Sequence, residues 1–159
     1  MSNGKGYSGP NIRVPPLYFI GGFLIGLIIH AYKPIQLFPD GSTVYGTRGG
    51  WIVLAIGLIV AHTGLFTFIL AGTPWLPFSP ATKLVTQGFY RMTRNPMYLG
   101  LTIAYVGLAA VLDTAWPLIL LPLVLWGLIS TVIVKEEQYL EQRFGDEYRA
   151  YKQRVRRWI

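Results

Sequence analysis

The sequence predicts an all-α, polytopic membrane protein with about four transmembrane helices and a C-terminal amphipathic cytoplasmic helix. Of its 159 residues, 52% are hydrophobic and 13% are charged, about half the charged fraction of a soluble domain. The charges are also unevenly placed, because long windows contain none and residues 135–159 hold a dense cluster. We therefore expect residues 1–159 to form a single membrane domain.

Four charge-free windows are each near the roughly 20 residues that a spanning helix requires. They cover residues 14–32, 49–72, 96–112 and 114–134. Asp113, Thr114 and the pair Trp116-Pro117 predict a tight turn, so the last two windows would form an antiparallel helical hairpin. Residues 1–13 are predicted to be a polar tail, and the first window a retained helix, because no clear small-residue cleavage site follows it.

The positions of the basic residues predict the orientation in the membrane. With four spans, Lys33 and Arg48 are the only two of the 14 lysines and arginines that fall on the side opposite both termini. Both termini should therefore be cytoplasmic, in a bacterial inner membrane. Membrane-flanking positions also explain the net charge of +7 better than nucleic-acid binding does. With no cysteine and only two histidines, no metal site is expected.

Residues 135–159 carry an apolar stripe at helical spacing. Its members recur at steps of three or four and are Leu140, Phe144, Tyr148, Tyr151, Val155 and Trp158. Gly145 interrupts the stripe and is expected to kink or break the helix. The segment should either lie along the cytoplasmic membrane surface or fold back onto the transmembrane helices.

A polar motif begins the third window. Asn95 is predicted to cap this helix and Pro96 to occupy its first position, since asparagine is a strong N-cap and proline is favoured there. A helix N-terminus also presents free N–H groups and a partial positive charge, and Arg91 and Arg94 lie beside it. Such a helix start would suit a carboxylate or phosphate, although the residues alone favour a plain capped helix.

Glu136 and Glu137 directly follow the fourth window. Two adjacent acids at a hydrocarbon boundary are costly unless they are solvated or paired. Either both are solvated in the headgroup region, or at least one turns inward to bind a cation or accept a proton. The predicted hairpin returns them to the membrane face that carries Arg94 and Asn95, so the two groups of residues can meet.

The C-terminal half resembles the integral-membrane methyltransferases of the isoprenylcysteine carboxyl methyltransferase and phospholipid N-methyltransferase group. The resemblance covers residues 84–158 and rests on two motifs one hairpin apart, LVTQGFYRMTRNPMYLG and EEQYLEQRFGDEYRAYKQRVRRW. The family pattern usually reads Arg-His-Pro-x-Tyr-x-Gly. Here Asn95 replaces the histidine. The asparagine side chain can still form hydrogen bonds, but it cannot titrate as an imidazole does. The first half matches only in having two predicted spans.

This resemblance implies S-adenosylmethionine as the methyl donor, bound at the cytoplasmic face between the two motifs. It implies Glu136 and Glu137 as catalytic residues. The implied cofactor-binding residues are Tyr90, Arg94, Asn95, Pro96, Tyr98, Leu99, Gly100, Glu136, Glu137, Phe144 and Tyr148. The helix start and the arginines suit the cofactor carboxylate, a glutamate suits its ammonium, the aromatic rings would enclose its adenine, and Gly100 would permit close approach.

The acceptor implied by the resemblance is lipophilic: a lipid amine, a prenylcysteine-like carboxylate or a small thiol. Two other functions stay open. A sterol or carotenoid reductase- or isomerase-like enzyme would need a nicotinamide or haem site, and His62 is the one well-placed haem ligand. We interpret His62 instead as a neutral histidine bonded to neighbouring backbone. A non-catalytic scaffold would bind anionic lipid or a partner through its basic C-terminal helix.

Overall fold

The computed structural model describes residues 14–39, 42–73 and 80–159, and these ranges form helices and turns without a β-strand. The α-helices are α1 Pro16–Tyr32, α2 Thr43–Leu70, α3 Pro96–Val111, α4 Trp116–Leu128, α5 Val134–Phe144 and α6 Asp146–Arg154. A 3-10 turn at Gly88–Arg91 precedes α3, and a π-helical turn at Ile129–Ile133 joins α4 to α5. The predicted all-α class is confirmed, while the predicted tail 1–13 lies outside the described residues.

Within the described ranges, two helical stretches are long and apolar enough to cross a membrane, Thr43–Leu70 and the continuous run Trp116–Phe144. The helices α1 and α3 are also apolar but have only 17 and 16 residues. The arrangement of four spans therefore stays a prediction. Helix α2 begins at Thr43 rather than at residue 49, so Arg48 lies within it. A long arginine side chain near a helix end can reach the polar boundary while its backbone stays helical.

Helices α2 and α3 pack backbone against backbone. A Cβ on Gly57 would overlap the backbone nitrogen of Ala104, and a Cβ on Gly100 would overlap that of Ala61. Small residues permit this close approach between apolar helices. The contact fixes the start of α3 against the C-terminal half of α2.

Helix α1 packs along α4, and a buried core forms where both meet α3. The rings of Phe19 and Phe23 lie edge-on to the ring of Tyr105, with centroids 6.1 and 5.0 Å away. The Tyr105 hydroxyl is buried and has no hydrogen-bond partner within the described ranges. Fully buried Leu128 and Ile133 continue this core to the base of α5. The site described below therefore stands at the end of a packed apolar core.

The predicted turn between α3 and α4 is present and is tied to the α1–α2 connection. Asp113 adopts a φ of +49°, which is uncommon outside glycine but tolerated by aspartate. Its Oδ1 accepts hydrogen bonds from the backbone nitrogens of Leu37 at 2.9 Å and Phe38 at 3.0 Å. One side chain thus joins both helix connections at this end of the molecule.

The helix predicted for the fourth window, residues 114–134, continues beyond the apolar sequence. It runs through the π-helical turn to Phe144, so the predicted boundary between residues 134 and 135 does not separate two elements. A π-helical turn accommodates one extra residue, which rotates the following side chains by about 100° around the axis. Because Glu136 and Glu137 follow this turn directly, it helps to set the direction in which they point.

The chain reverses at Gly145, where φ is +52° and ψ is −122°. Glycine adopts this conformation readily because it has no Cβ. Helix α6 then folds back and buries Tyr148 and Tyr151. The predicted break at Gly145 is confirmed. Of the two predicted positions for the C-terminal segment, the structure shows the one in which it folds back onto the other helices.

Candidate functional site

The start of α3 and the start of α5 are in direct contact. The Tyr98 hydroxyl donates a hydrogen bond to Glu136 Oε1 at 2.6 Å. Arg94 Nη1 lies 3.1 Å from Glu137 Oε1. The hairpin formed by α3 and α4 brings these residues together, because α4 continues into α5 beside the first turn of α3. The predicted meeting of the two motifs is therefore present.

Glu137 turns inward and is held by two arginines. Arg157 donates from Nε to Oε1 at 2.9 Å and from Nη2 to Oε2 at 2.7 Å, a bidentate pairing that fixes the carboxylate plane. The side chains of Arg94 and Glu137 are each 10% exposed, whereas that of Arg157 is 36% exposed. Both oxygens of Glu137 thus contact cations that the chain itself supplies.

Glu136 is placed differently. It is half-buried, and its Oε1 accepts the hydrogen bond from Tyr98. Its Oε2 accepts no hydrogen bond from any residue within the described ranges. A carboxylate with one oxygen fixed and the other available can bind a cationic group or accept a proton. Of the two predicted catalytic residues, Glu136 is the one without an ion-pair partner within the described ranges.

Asn95 occupies the N-cap position of α3, as predicted, but its side chain makes no capping hydrogen bond, so the predicted side-chain cap is wrong. Its Nδ2 instead donates to the carbonyl oxygen of Arg157 at 3.0 Å. The Thr93 hydroxyl donates to the same carbonyl at 3.0 Å, and the Arg94 backbone nitrogen donates to the carbonyl of Arg156 at 2.9 Å. The Nδ2 hydrogen bond turns the Asn95 side chain toward the C-terminal segment rather than toward the free N–H groups at the start of α3. Pro96 does occupy the first turn of α3, as predicted.

Two predicted aromatic residues form part of the surrounding wall. Tyr148 is 1% exposed, and its hydroxyl accepts a hydrogen bond from Arg94 Nη1 at 3.3 Å. Burial, with a contribution from the Glu137 charge, raises the pKa of Tyr148, so its hydroxyl stays neutral. Tyr90 is also buried, and its carbonyl oxygen accepts a hydrogen bond from the Tyr151 hydroxyl at 2.7 Å. Tyr151 thereby fixes α6 to the 3-10 turn.

Other predicted residues lie apart from this cluster. Gly100 faces α2, so the close approach that it permits is to another helix rather than to adenine. Leu99 and Phe144 are half-buried, and no hydrogen bond or ring contact within the described ranges links either of them to the glutamates. His62 is exposed, with Nδ1 2.7 Å from the carbonyl oxygen of Leu58, which confirms its interpretation as a backbone-bonded histidine.

Three residues in the cluster escaped the sequence prediction of the site. Tyr151 could have been found, because it lies one helical turn after Tyr148 on the apolar stripe. Thr93 lies within the first motif, one residue before Arg94 of the family pattern. Arg157 gave no signal, because it is one of several arginines near the end of the chain and its partner lies 20 residues away.

A cavity of about 470 Å³ lies elsewhere, between the end of α2 and residues 83–88. Its lining includes Thr67, Leu70, Lys83 and Gln87, and it contains none of the predicted site residues. Within the described ranges, no group of three or more His, Asp or Glu side chains could hold a metal ion. The arginine–glutamate cluster is therefore the stronger candidate for chemistry.

The two motifs that meet in this site are those by which the sequence resembles the integral-membrane methyltransferases. The chain matches the model of the phospholipid methyltransferase family over residues 46–147. That match covers well over half of the sequence and both motifs up to the start of α6. The chain therefore belongs to the phospholipid methyltransferase family.

Individual relatives carry related names. A probable protein-S-isoprenylcysteine O-methyltransferase from Oryza sativa subsp. indica is 33% identical over 114 residues, covering 66% of this chain and 60% of the relative. The protein-S-isoprenylcysteine O-methyltransferase A of Arabidopsis thaliana is 30% identical over 161 residues, covering 94% of this chain and 79% of the relative. The Schizosaccharomyces pombe enzyme is 40% identical over 72 residues, covering 45% and 30%. This chain spans less than two thirds of the length of the rice relative.

Proposed function

We propose that this protein transfers a methyl group from S-adenosylmethionine to a lipophilic acceptor at the cytoplasmic face of the membrane. The observation that carries the proposal is the contact of the two motifs, with Tyr98 bonded to Glu136 at 2.6 Å and Arg94 paired with Glu137 at 3.1 Å. Membership of a methyltransferase family supports the reaction class. The placement of lysines and arginines supports the cytoplasmic face.

The residues present fit the chemical groups of this cofactor. Glu136 Oε2 is available for the cofactor ammonium and tolerates the nearby sulfonium charge. Arg94 Nε is buried without a hydrogen-bond partner in the described part of the chain, and an unpaired buried donor of this kind is costly unless a ligand oxygen binds it. Tyr90, Tyr98 and Tyr148 would supply the aromatic surface for adenine, as the resemblance implies. When bound, S-adenosylmethionine supplies an activated methyl group on sulfur.

The two glutamates then have different roles. Glu136 binds the cationic part of the cofactor, and if the acceptor is a protonated amine it can also accept the proton that is lost. Glu137, neutralised by Arg94 and Arg157, holds the start of α5 against the start of α3. Methyl transfer is an in-line displacement, for which correct alignment can supply about 7–11 kcal/mol of the barrier. An acceptor carboxylate or thiolate would need no base.

The acceptor would reach this site from the bilayer, and the cofactor would reach it from water. The relatives are named as O-methyltransferases of protein-S-isoprenylcysteine, which favours a prenylcysteine-like carboxylate over a lipid amine or a small thiol. The family description, phospholipid methyltransferase, keeps a lipid amine as the next candidate. Each of these acceptors combines an apolar chain with a small nucleophile at the membrane boundary.

Calorimetric titration of the detergent-purified protein with S-adenosylmethionine and S-adenosylhomocysteine tests the proposal. Both ligands should bind to the wild-type protein. Glu136→Gln should weaken binding of both by about ten- to a hundredfold, the range expected for loss of a charged hydrogen bond. Glu147→Gln is the matched control, because Glu147 is exposed in α6. Folded wild-type protein that binds neither ligand would exclude the proposal and favour the non-catalytic scaffold, which should still bind anionic vesicles.

A further inference from the structure

We infer that Arg157, in the C-terminal segment of residues 155–159, is a positioning residue that acts through Glu137. The inference rests on the proposed function, because it assigns a role to a segment beside the proposed site. It concerns residues that lie beyond the stretch 46–147 matched by the family.

Backbone contacts hold this segment against the start of α3. The carbonyl of Arg157 accepts hydrogen bonds from the Thr93 hydroxyl and from Asn95 Nδ2, both at 3.0 Å. The carbonyl of Arg156 accepts one from the Arg94 backbone nitrogen at 2.9 Å. Three hydrogen bonds to consecutive residues tie this segment to the first motif.

The side chain of Arg157 joins the same segment to the second motif. Its two hydrogen bonds to Glu137, at 2.9 and 2.7 Å, occupy both carboxylate oxygens and prevent rotation of the carboxylate about its terminal torsion. The hydrogen bond to Glu137 raises the pKa of Arg157, so the guanidinium keeps its charge. Because Glu136 is the preceding residue in the same helical turn, fixing Glu137 also fixes the direction in which Glu136 points.

Contacts before and after Arg157 also fix the position of the C-terminal segment. Helix α6 is held by the hydrogen bond from the Tyr151 hydroxyl to the Tyr90 carbonyl, and after it Val155 is extended with φ −121° and ψ 129°. Trp158 then packs against the hydrophobic core. The backbone of residues 155–158 is thus anchored before, at and after Arg157, which leaves the guanidinium one direction in which to reach Glu137.

This geometry predicts a selective defect when Arg157 is removed. Arg94 would remain as the single ion-pair partner of Glu137 in the described part of the chain, and the carboxylate could pivot about that contact. The loss should affect the end of the cofactor that carries its amino-acid group, which Glu136 is proposed to bind. Binding of the adenosine part should be retained, because the aromatic residues proposed to contact it do not depend on the Arg157 guanidinium.

The experiment compares two ligands by calorimetry on the full-length protein in detergent. S-adenosylhomocysteine carries the amino-acid group, whereas 5′-methylthioadenosine keeps the adenosine and sulfur but lacks that group. Arg157→Ala should weaken S-adenosylhomocysteine binding by about tenfold or more, as expected when a buried charged hydrogen bond is lost, and leave methylthioadenosine binding unchanged. Arg157→Lys should restore part of the loss. Arg156→Ala is the matched control, because it removes the same charge from an exposed side chain.

Three results would overturn the inference. Unchanged affinity in Arg157→Ala would show that the contact is dispensable. Equal losses for both ligands would indicate general destabilisation, and equal losses in Arg156→Ala would indicate a nonspecific effect of charge. If Arg157→Ala does not fold, Arg157→Lys decides, since its single ammonium cannot pair bidentately and must still weaken S-adenosylhomocysteine alone. Wild-type protein that fails to bind S-adenosylhomocysteine would instead refute the proposed function.

Discussion

Replacing Glu137 with glutamine measures how strongly the buried carboxylate holds the two motifs together. The substitution keeps the shape of the side chain but leaves Arg94, whose side chain is 10% exposed, without its ionic partner. Removing one member of a buried ion pair costs about 3–5 kcal/mol. We expect a loss of about 3 kcal/mol, the lower end of that range, because the glutamine oxygen still accepts a hydrogen bond and the 36%-exposed Arg157 can be solvated.

Reversible unfolding by dodecyl sulfate in mixed micelles, followed by tryptophan fluorescence, measures this loss. Glu147→Gln removes the same charge from an exposed position of α6 and should change the free energy of unfolding by less than about 0.5 kcal/mol. A loss below about 1 kcal/mol in Glu137→Gln, the range of solvent-exposed ion pairs, would refute the reasoning. It would show that water reaches the carboxylate and that Glu137 does not anchor the site.

Three further substitutions test the packing with the same unfolding assay. Tyr105→Phe should stabilise the protein by about 1 kcal/mol, because it removes a buried hydroxyl that has no hydrogen-bond partner in the described structure. Any destabilisation would show that the hydroxyl does have a hydrogen-bond partner. Gly57→Ala should cost about 1–3 kcal/mol, because its Cβ would overlap the backbone of α3. Gly21→Ala is the control and should be tolerated, because a Cβ at that position meets open space. Similar effects of the two substitutions would contradict the close approach of α2 and α3. Gly145→Ala should cost about 1–2 kcal/mol through its positive φ, and a neutral result would mean that the turn can relax.

The parts of the fold that depend on one residue's backbone chemistry could be predicted from the sequence. Pro96 begins α3 because proline lacks the N–H that later helical positions need. Gly145 breaks the C-terminal helix because the backbone there adopts a positive φ. The apolar stripe on either side of Gly145 predicted that Tyr148 would be buried, because residues at steps of three or four share one helix face.

The parts that depend on competition between distant groups could not be predicted. Asn95 has the correct chemistry for a cap, but its amide nitrogen donates to the Arg157 carbonyl, and the sequence gives no indication that residue 157 would return there. Glu137 was expected to turn inward or outward, and the choice depends on two arginines that only the reversal at Gly145 brings near. Charge placement marked where the apolar sequence ends, but it did not mark the end of the helix, which continues to Phe144.

The backbone contact between α2 and α3 restricts how a bilayer-dissolved molecule could enter. Gly57 and Gly100 leave no side chains between the two helices at that level, so only separation of whole helices could open this seam. The seam between α1 and α3 is instead filled by the rings of Phe19, Phe23 and Tyr105. Side chains can change rotamer within nanoseconds where they are free to move, whereas collective helix motions take microseconds or longer. If the acceptor enters from the bilayer as proposed, we expect its lateral entrance on the α1 side of α3, because side-chain motion cannot open the contact between α2 and α3.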